Sequence, residues 1–189
     1  MTFSTYTPAL YPSLRQQTFT CRQLVPLPSK GLLRIERGAV RAVTWSEQGT
    51  PITLGYWGVG DAIGQPLSGV QPYQIECKTH VEISYIPANL CDRSLDEIFK
   101  HIQQTQALFY IVRTESLRDR LLQLLVWLGQ KFGREVAQGV LIDLRLTHQE
   151  LSEAIGITRI TVTRLMGRLE EEGFIDRTRP QYIVLTSRF

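Results

Sequence analysis

Apolar residues in the first half of the chain follow the two-residue period of strands. From residue 31 to about 87 they form short runs, "LLRIERGAVRAVTW", "PITLGYW" and "YQIECKTHVEISYI". "SEQG", between the first two runs, predicts a hairpin with glycine at the turn, and "GVGDAIG" (58–64) predicts a loop. The third run alternates over 73–86 and predicts one strand. Its inner face would carry Ile75, Cys77, Thr79, Val81, Ile83 and Tyr85. Many short strands separated by turns predict a small sandwich or barrel.

After Asn89 the apolar positions take the period of a helix. One stripe consists of Leu95, Ile98, Phe99, Ile102, Phe109 and Val112. The sequence offers no later strand to cover this stripe, which favours contact with a second copy in a dimer. Packing against the β-region of the same chain is the alternative. A second helix is predicted from a cap at Ser116 through Lys131. Its inner positions would be Leu117, Leu121, Leu124, Leu125 and Leu128.

The last fifty residues predict strand, helix, turn, helix, strand and strand, in that order. "GVLIDLRL" alternates like a strand, and "THQE" (147–150) has the form of a helix-capping box. Gly156 follows the short helix where a tight turn needs positive φ. "FIDRTRPQYIVL" (174–185) predicts two strands around a turn, a wing.

The stretch "GITRITVTR" (156–164) is rich in β-branched residues, which usually favour strands. However, Thr158 can cap a helix, and the later apolar positions keep helical spacing. The inner face would be Val162, Leu165, Met166 and Leu169. The outer face, Arg159, Ile160, Thr163 and Arg164, carries the groups that read bases. Guanidinium groups pair with guanine, and methyl groups meet thymine methyls.

The surroundings of this helix suit a phosphate backbone. Hydroxyl, amide and cationic groups near helix starts and on the wing are the expected phosphate contacts. These residues are Thr147, His148, Gln149, Thr158, Thr161, Arg168, Thr178 and Arg179. Residues 134–189 hold eight Lys/Arg and eight Asp/Glu, so the prediction depends on local distribution and not on net charge.

The stretch "LTHQELSEAIGITRITVTRLMGRLEEEGFI" resembles the helix-turn-helix of the Crp/Fnr family of bacterial transcription regulators. It is especially similar to that of the cyanobacterial global nitrogen regulators. The resemblance implies an α+β fold: a cyclic-nucleotide-binding-like β-barrel of jelly-roll type (1–90), a dimerisation helix (91–115) and a winged helix-turn-helix (116–189). It also implies a homodimer on an inverted repeat of double-stranded DNA, and RNA polymerase as a further candidate partner.

Two departures from the family pattern refine this expectation. Many members carry Glu, which accepts from cytosine, where this chain has Ile160. The nitrogen regulators have an aliphatic residue there and read a GTA…TAC type of site. In the β-region, Gly64-Gln65 stands in place of the family's Gly-Glu pair, and Lys78 is the only Lys or Arg between Arg41 and Arg93. The absence of a phosphate-binding arginine argues against cAMP and against 2-oxoglutarate.

Other chemistry finds little support in the sequence. Three scattered cysteines form neither a disulfide framework nor an iron–sulfur cluster. Cys77 and His80 would point to opposite faces of a strand, so we expect a core cysteine and a surface histidine. We predict no metal, no cofactor and no enzyme activity, and the effector is unknown. Redox sensing by one thiol stays open.

Composition and the absence of a long apolar segment predict a soluble cytoplasmic protein without a membrane partner. Apolar content of 43% suits a buried core, and net charge is +3 over 189 residues. The longest apolar patch, "LLQLLVWL", is far short of the roughly 20 residues that span a bilayer. Two alternatives stay open: a winged helix that binds another protein, and a regulator that senses a small ligand other than a cyclic nucleotide in its barrel.

Overall fold

The computed structural model describes residues 16–179 and 181–186, without the side chains of residues 92, 93, 178 and 179. Within this part of the chain, eight strands precede the first α-helix. They are β1 Gln16–Phe19, β2 Leu24–Val25, β3 Leu32–Arg37, β4 Val40–Trp45, β5 Pro51–Trp57, β6 Ala62–Ile63, β7 Gln74–Cys77 and β8 Val81–Ile86. Short 3₁₀ turns cover Gln65–Leu67 and Ala88–Ser94.

The eight strands form two antiparallel sheets in a jelly-roll arrangement. One sheet has the order β1-β8-β3-β6 and the other β2-β7-β4-β5. One core cluster takes residues from both sheets, including Ile35 and Ile83 from the first and Val40 and Ile75 from the second. The sheets therefore face each other as a sandwich, which confirms the predicted jelly roll in its open form and not as a closed barrel.

The predicted β4–β5 hairpin is confirmed. Gly49 takes φ 75°, and its N–H donates to the carbonyl of Ser46 at 2.9 Å. By contrast, the prediction of one strand over 73–86 is wrong, because the chain turns at 78–80 and passes from one sheet to the other. The alternation survives this turn because both sheets direct their inner faces to one core. Cys77 and Val81, on either side of the turn, are both fully buried.

The segment 58–64 is a loop only in its first half. Gly60 takes φ 82° in the turn, and Ala62–Ile63 then forms β6 and pairs with β3. Two residues are too few to show a strand period. The pairing arises because the loop lies beside a strand with open hydrogen-bonding groups.

Two helices follow the sheets, α1 (Leu95–Arg113) and α2 (Leu117–Phe132). Ser116 caps α2 as predicted, accepting from the Asp119 N–H. Four of the five predicted inner leucines of α2 are fully buried, whereas Leu117 is 39% exposed, so its assignment to the inner face was wrong. As the first residue of the helix, Leu117 lies at the edge of the packed surface.

Only part of the predicted apolar stripe of α1 is exposed to solvent. Leu95, Phe99, Ile102 and Phe109 are 47–66% exposed, while Ile98 and Val112 pack partly against clusters of their own chain. A different face, with His101, Leu108 and Ile111, is buried. The His101 ring stacks on Trp57 at 4.9 Å. The helix therefore packs against its own chain on one side and leaves apolar side chains exposed on the other.

The C-terminal part contains two further helices and one sheet. Its elements are β9 Gly133–Val136, β10 Gly139–Ile142, α3 His148–Ile155, α4 Arg159–Glu171, β11 Ile175–Arg179 and β12 Tyr182–Thr186. The sheet order is β11-β12-β10-β9. Strand β9 was missed because its residues, "GREV", are mostly polar. The strand predicted in "GVLIDLRL" ends earlier, at Ile142.

One large core joins the helices to the β-region. Tyr56 of β5 and the residue Ala39, just before β4, belong to the same cluster as the buried faces of α1 to α4. Tyr56 is fully buried. No helix in the described ranges has the length and apolar character needed to cross a membrane.

Candidate nucleic-acid interface

Helix α3 begins with the capping box that the sequence predicted. The Thr147 hydroxyl accepts from the Glu150 N–H at 3.1 Å, and the Glu150 carboxylate accepts from the Thr147 N–H at 2.9 Å. Leu151, Ala154 and Ile155 form the inner face of α3 and are buried. Two otherwise unpaired backbone donors at the helix start are satisfied in this way, so the first turn of α3 is well ordered.

The turn between α3 and α4 depends on Gly156. It takes the left-handed conformation at φ 68°, and its N–H donates to the Ser152 carbonyl at 2.9 Å. A Cβ at this position would meet nothing within 4 Å. Glycine is therefore needed here for its backbone conformation and not for space.

Helix α4 is a helix in spite of its β-branched start. The Thr158 hydroxyl accepts from the Thr161 N–H at 3.1 Å and caps it. Val162, Leu165, Met166 and Leu169 are at most 4% exposed. Burial of this face supplies the stability that local propensity does not, as tertiary packing commonly does.

The outer face of α4 presents the predicted base-reading residues to solvent. Arg159, Thr163 and Arg164 are exposed, and Ile160 is 81% exposed. A Cβ on Gly167, one turn further on, would meet nothing within 4 Å, so the chain itself does not require glycine there. Exposed arginine, threonine and isoleucine in one row can donate to base edges and contact thymine methyls.

His148 ties the start of α3 to the recognition face. The Thr163 hydroxyl donates to the Arg159 carbonyl at 3.0 Å, and His148 Nδ1 lies 2.8 Å from the same oxygen. With the single hydroxyl hydrogen directed to the Arg159 carbonyl, the Nδ1–H tautomer of His148 would donate to Thr163. Burial, followed by the charges of Arg177 and Arg159, lowers the pKa of His148. The contact between His148 and Thr163 joins the start of α3 to the exposed face of α4.

Other predicted phosphate contacts already have partners within the chain. Gln149 Nε2 donates to Glu153 at 2.9 Å, and the hydroxyls of Thr158 and Thr161 lie 2.9 Å apart. Arg168 is exposed. The side chains of Thr178 and Arg179 lie outside the described part of the chain.

The wing contributes Arg177, which the sequence did not mark as a site residue. It lies with His148 and Arg159 around a cleft of about 360 Å³ between the start of α3, α4 and the strands β11 and β12. Its guanidinium pairs with Glu170 of α4. No local signal marks this residue, because its position depends on how the strand pair folds back across α4.

The β-region holds its cysteine and histidine as expected for ordinary core and surface residues. Cys77 is fully buried, and burial raises the pKa of its thiol to about 11. His80 is exposed. Among the described residues, no group of three or more His, Cys, Asp or Glu side chains could hold a metal ion.

Helix, glycine turn, helix and wing together define a winged helix-turn-helix. Residues 119–188 match the Crp-like helix-turn-helix domain. The chain is 40% identical over 159 residues to the regulatory protein CysR of Synechococcus elongatus, which covers 82% of this chain and 77% of that protein. Identity to the global nitrogen regulator of Nostoc is 30% over 164 residues, 78% of this chain and 74% of that protein.

Solved structures show the same arrangement. A CRP/FNR-family transcriptional regulator of Thermus thermophilus superposes with a TM-score of 0.75 at 25% identity, over 92% of this chain and 94% of that one. A second CRP-family regulator from that organism gives 0.77 at 23% identity, over 90% and 92%. The protein belongs to the Crp/Fnr family of DNA-binding transcription regulators, and not to an enzyme family.

Proposed function

We propose that α4 enters the major groove of double-stranded DNA and reads bases with Arg159, Ile160, Thr163 and Arg164. The observation that carries this proposal is the exposure of Ile160, at 81%, between arginines on a helix whose opposite face is fully packed. An isoleucine so exposed contributes nothing to the core of its own chain. Its methyl groups suit the C5-methyl of thymine.

Ile160 also indicates which DNA sequence the protein binds. Ile160 has no acceptor for the amino group of cytosine, so a site of the GTA…TAC type, with thymine opposite Ile160, fits better than one that needs a carboxylate. The arginines on either side supply guanine contacts. Thr147, His148, Gln149, Thr158, Thr161 and Arg168, with Thr178 and Arg179 of the wing, would then lie along the phosphates.

Two copies of the chain would form the binding unit. The exposed face of α1 carries Leu95, Phe99, Ile102 and Phe109, and Tyr110 beside them is 70% exposed. Burial of such a face against its copy removes apolar surface from water. A twofold axis along α1 would place two recognition helices on successive major grooves, about 34–36 Å apart, and so favour an inverted repeat.

Selection of bound sequences from a random duplex pool tests this proposal directly. We expect an inverted repeat, and we expect Arg164→Ala to cost about 1–3 kcal/mol at one base pair and to relax the preference there. Arg134→Ala, on the half-exposed side chain of β9, is the control and should leave the preference unchanged. An unchanged preference at every position in Arg164→Ala would refute the assignment.

Salt dependence separates DNA binding from the alternative of a protein-binding winged helix. Binding that releases counterions from phosphates weakens steeply as salt rises. The protein-binding alternative would be favoured if affinity for a selected duplex did not change with salt concentration. It would also be favoured if no sequence were enriched from the pool. The cytoplasm, where the chromosome lies in a bacterium, is the expected site of action.

A further inference from the structure

The acidic residues of α3 face the β-region and not the DNA side. Arg41 of β4 donates through Nη1 to Glu153 at 2.7 Å and through Nη2 to Glu76 of β7 at 2.7 Å. Lys78, just after β7, pairs with Glu150. Helix α3 is thus held to the β4–β7 part of the sheet by two ion pairs between residues far apart in sequence.

These pairs lie in a buried contact. The side chains of Arg41 and Glu153 are 9% and 7% exposed, and those of Lys78 and Glu150 are 9% and 12% exposed. A buried pair adds little net stability, but it tolerates little displacement, because moving one partner leaves the other charge buried and unpaired. Such pairs are suited to fix geometry.

Each acid is also bonded to the DNA-binding helix start. Glu150 closes the capping box with Thr147, and Glu153 accepts from Gln149. Burial alone would raise the pKa of Glu150, but Lys78, the Thr147 N–H and Arg41 lower it, so the carboxylate stays charged. Arg41 and Lys78 of the sheet therefore contact the first turns of α3, which are expected to lie against a DNA phosphate.

Displacement of α3 is transmitted to α4. The two helices share a core, in which Ile155 and Val162 are fully buried, and His148 bonds Thr163 on the recognition face. Close-packed protein interiors transmit displacements between the elements that share them. The position of α3 on the sheet thus determines the position of the recognition helix.

We propose that Arg41 and Lys78 are positioning residues for DNA recognition. Through Glu153 and Glu150 they hold the helix-turn-helix at one place on the sheet, and in a dimer this determines the separation of the two recognition helices. The proposal rests on the proposed function, because separation matters only to a dimer on two half-sites. Neither cation touches DNA.

The test measures affinity for duplexes whose two half-sites are moved apart or together by one or two base pairs. The first variant is Lys78→Met with Glu150→Gln, which removes both charges and keeps a capping-box acceptor, since glutamine also serves at that position. The second is Glu153→Gln, which leaves Arg41 paired with Glu76. The control, Arg37→Met with Glu82→Gln, removes an exposed pair within the β-region.

We expect the wild type and the control to lose about tenfold or more in affinity when the spacing changes, because half-site separation is a geometric constraint. In both test variants the dependence on spacing should flatten, while affinity for a single half-site stays at the wild-type level. Loss of a merely structural contact would instead lower thermal stability and leave the spacing profile unchanged.

An unchanged profile in Glu153→Gln and in any folded Lys78→Met/Glu150→Gln protein would overturn this inference alone. If the double variant does not fold, the spacing dependence of Glu153→Gln alone tests the inference. Failure of the wild type to bind any duplex would overturn the proposed function, and this inference with it.

Discussion

Asp61 is the residue whose replacement tests the packing of this fold most directly. Its carboxylate joins three elements: it accepts from the Gly58 N–H at 2.7 Å and from Gln104 of α1 at 2.8 Å, and it pairs with Lys131 of α2 at 2.7 Å. The Asp61 side chain is 8% exposed and that of Lys131 is 15% exposed. Asp61→Asn keeps the size of the side chain and removes its charge.

The expected loss in the free energy of unfolding follows from the charge of Lys131, which stays buried without its partner. Breaking a buried ion pair from one side costs about 3–5 kcal/mol, because the other charge stays buried. Lys131 keeps a hydrogen bond to Gln104 and some contact with water. The lower end, about 3 kcal/mol of the free energy of unfolding, is therefore the expected value at neutral pH.

The destabilisation by Asp61→Asn should also depend on pH, through the titration of Lys131. Burial lowers the pKa of Lys131 below its ordinary 10.5, and Asp61 opposes that shift. Without Asp61 the pKa should fall further, so that the lysine loses its proton at a lower pH and the buried charge disappears. The destabilisation by Asp61→Asn should accordingly shrink as the pH rises from neutrality towards 10.5.

Urea unfolding at pH 7 and at pH 9.5 measures both effects. Asp143→Asn is the matched control, because Asp143 and its partner Arg134 are 59% and 60% exposed and lie 3.8 Å apart. Exposed pairs contribute about 0–1 kcal/mol, so the control should change little at either pH. Equal effects of the two substitutions, or a destabilisation by Asp61→Asn that does not depend on pH, would show that the Asp61–Lys131 pair is not the source of the loss.

Three further predictions concern the turn, the dimer and acid stability. Gly156→Ala should cost about 1–2 kcal/mol in urea unfolding through backbone strain alone, whereas Gly167→Ala should not destabilise; a neutral Gly156→Ala would contradict this. Phe109→Asp should convert the proposed dimer to a folded monomer in sedimentation, and a dimer that persists would place the interface elsewhere. The lowered pKa of Glu150 means that its contribution is complete above its ordinary value of 4.5 and is lost as the pH falls through the lower folded value. In Glu150→Gln the free energy of unfolding should therefore fall less steeply as the pH is lowered through the acid range. If Glu150→Gln and the exposed Glu135→Gln show the same dependence on pH, this prediction is wrong.

Features confined to one turn of helix could be predicted from the sequence alone. The capping box of Thr147 and Glu150, the left-handed Gly156 and the cap at Thr158 each depend on residues at most four positions apart. The inner and outer faces of α4 follow from spacing along one helix. These local rules were enough to indicate the helix-turn-helix and its exposed Arg159–Arg164 row, because the physics involved acts over a few residues.

Contacts between distant segments could not be predicted and became visible in the folded chain. Lys78 and Glu150 are 72 positions apart, and nothing in their local sequence links them. The turn at 78–80 that sends β8 to the other sheet, and the division of α1 into a packed and an exposed face, have the same origin. Alternation shows that a residue is buried but not what it is buried against, because the partner comes from a distant part of the chain.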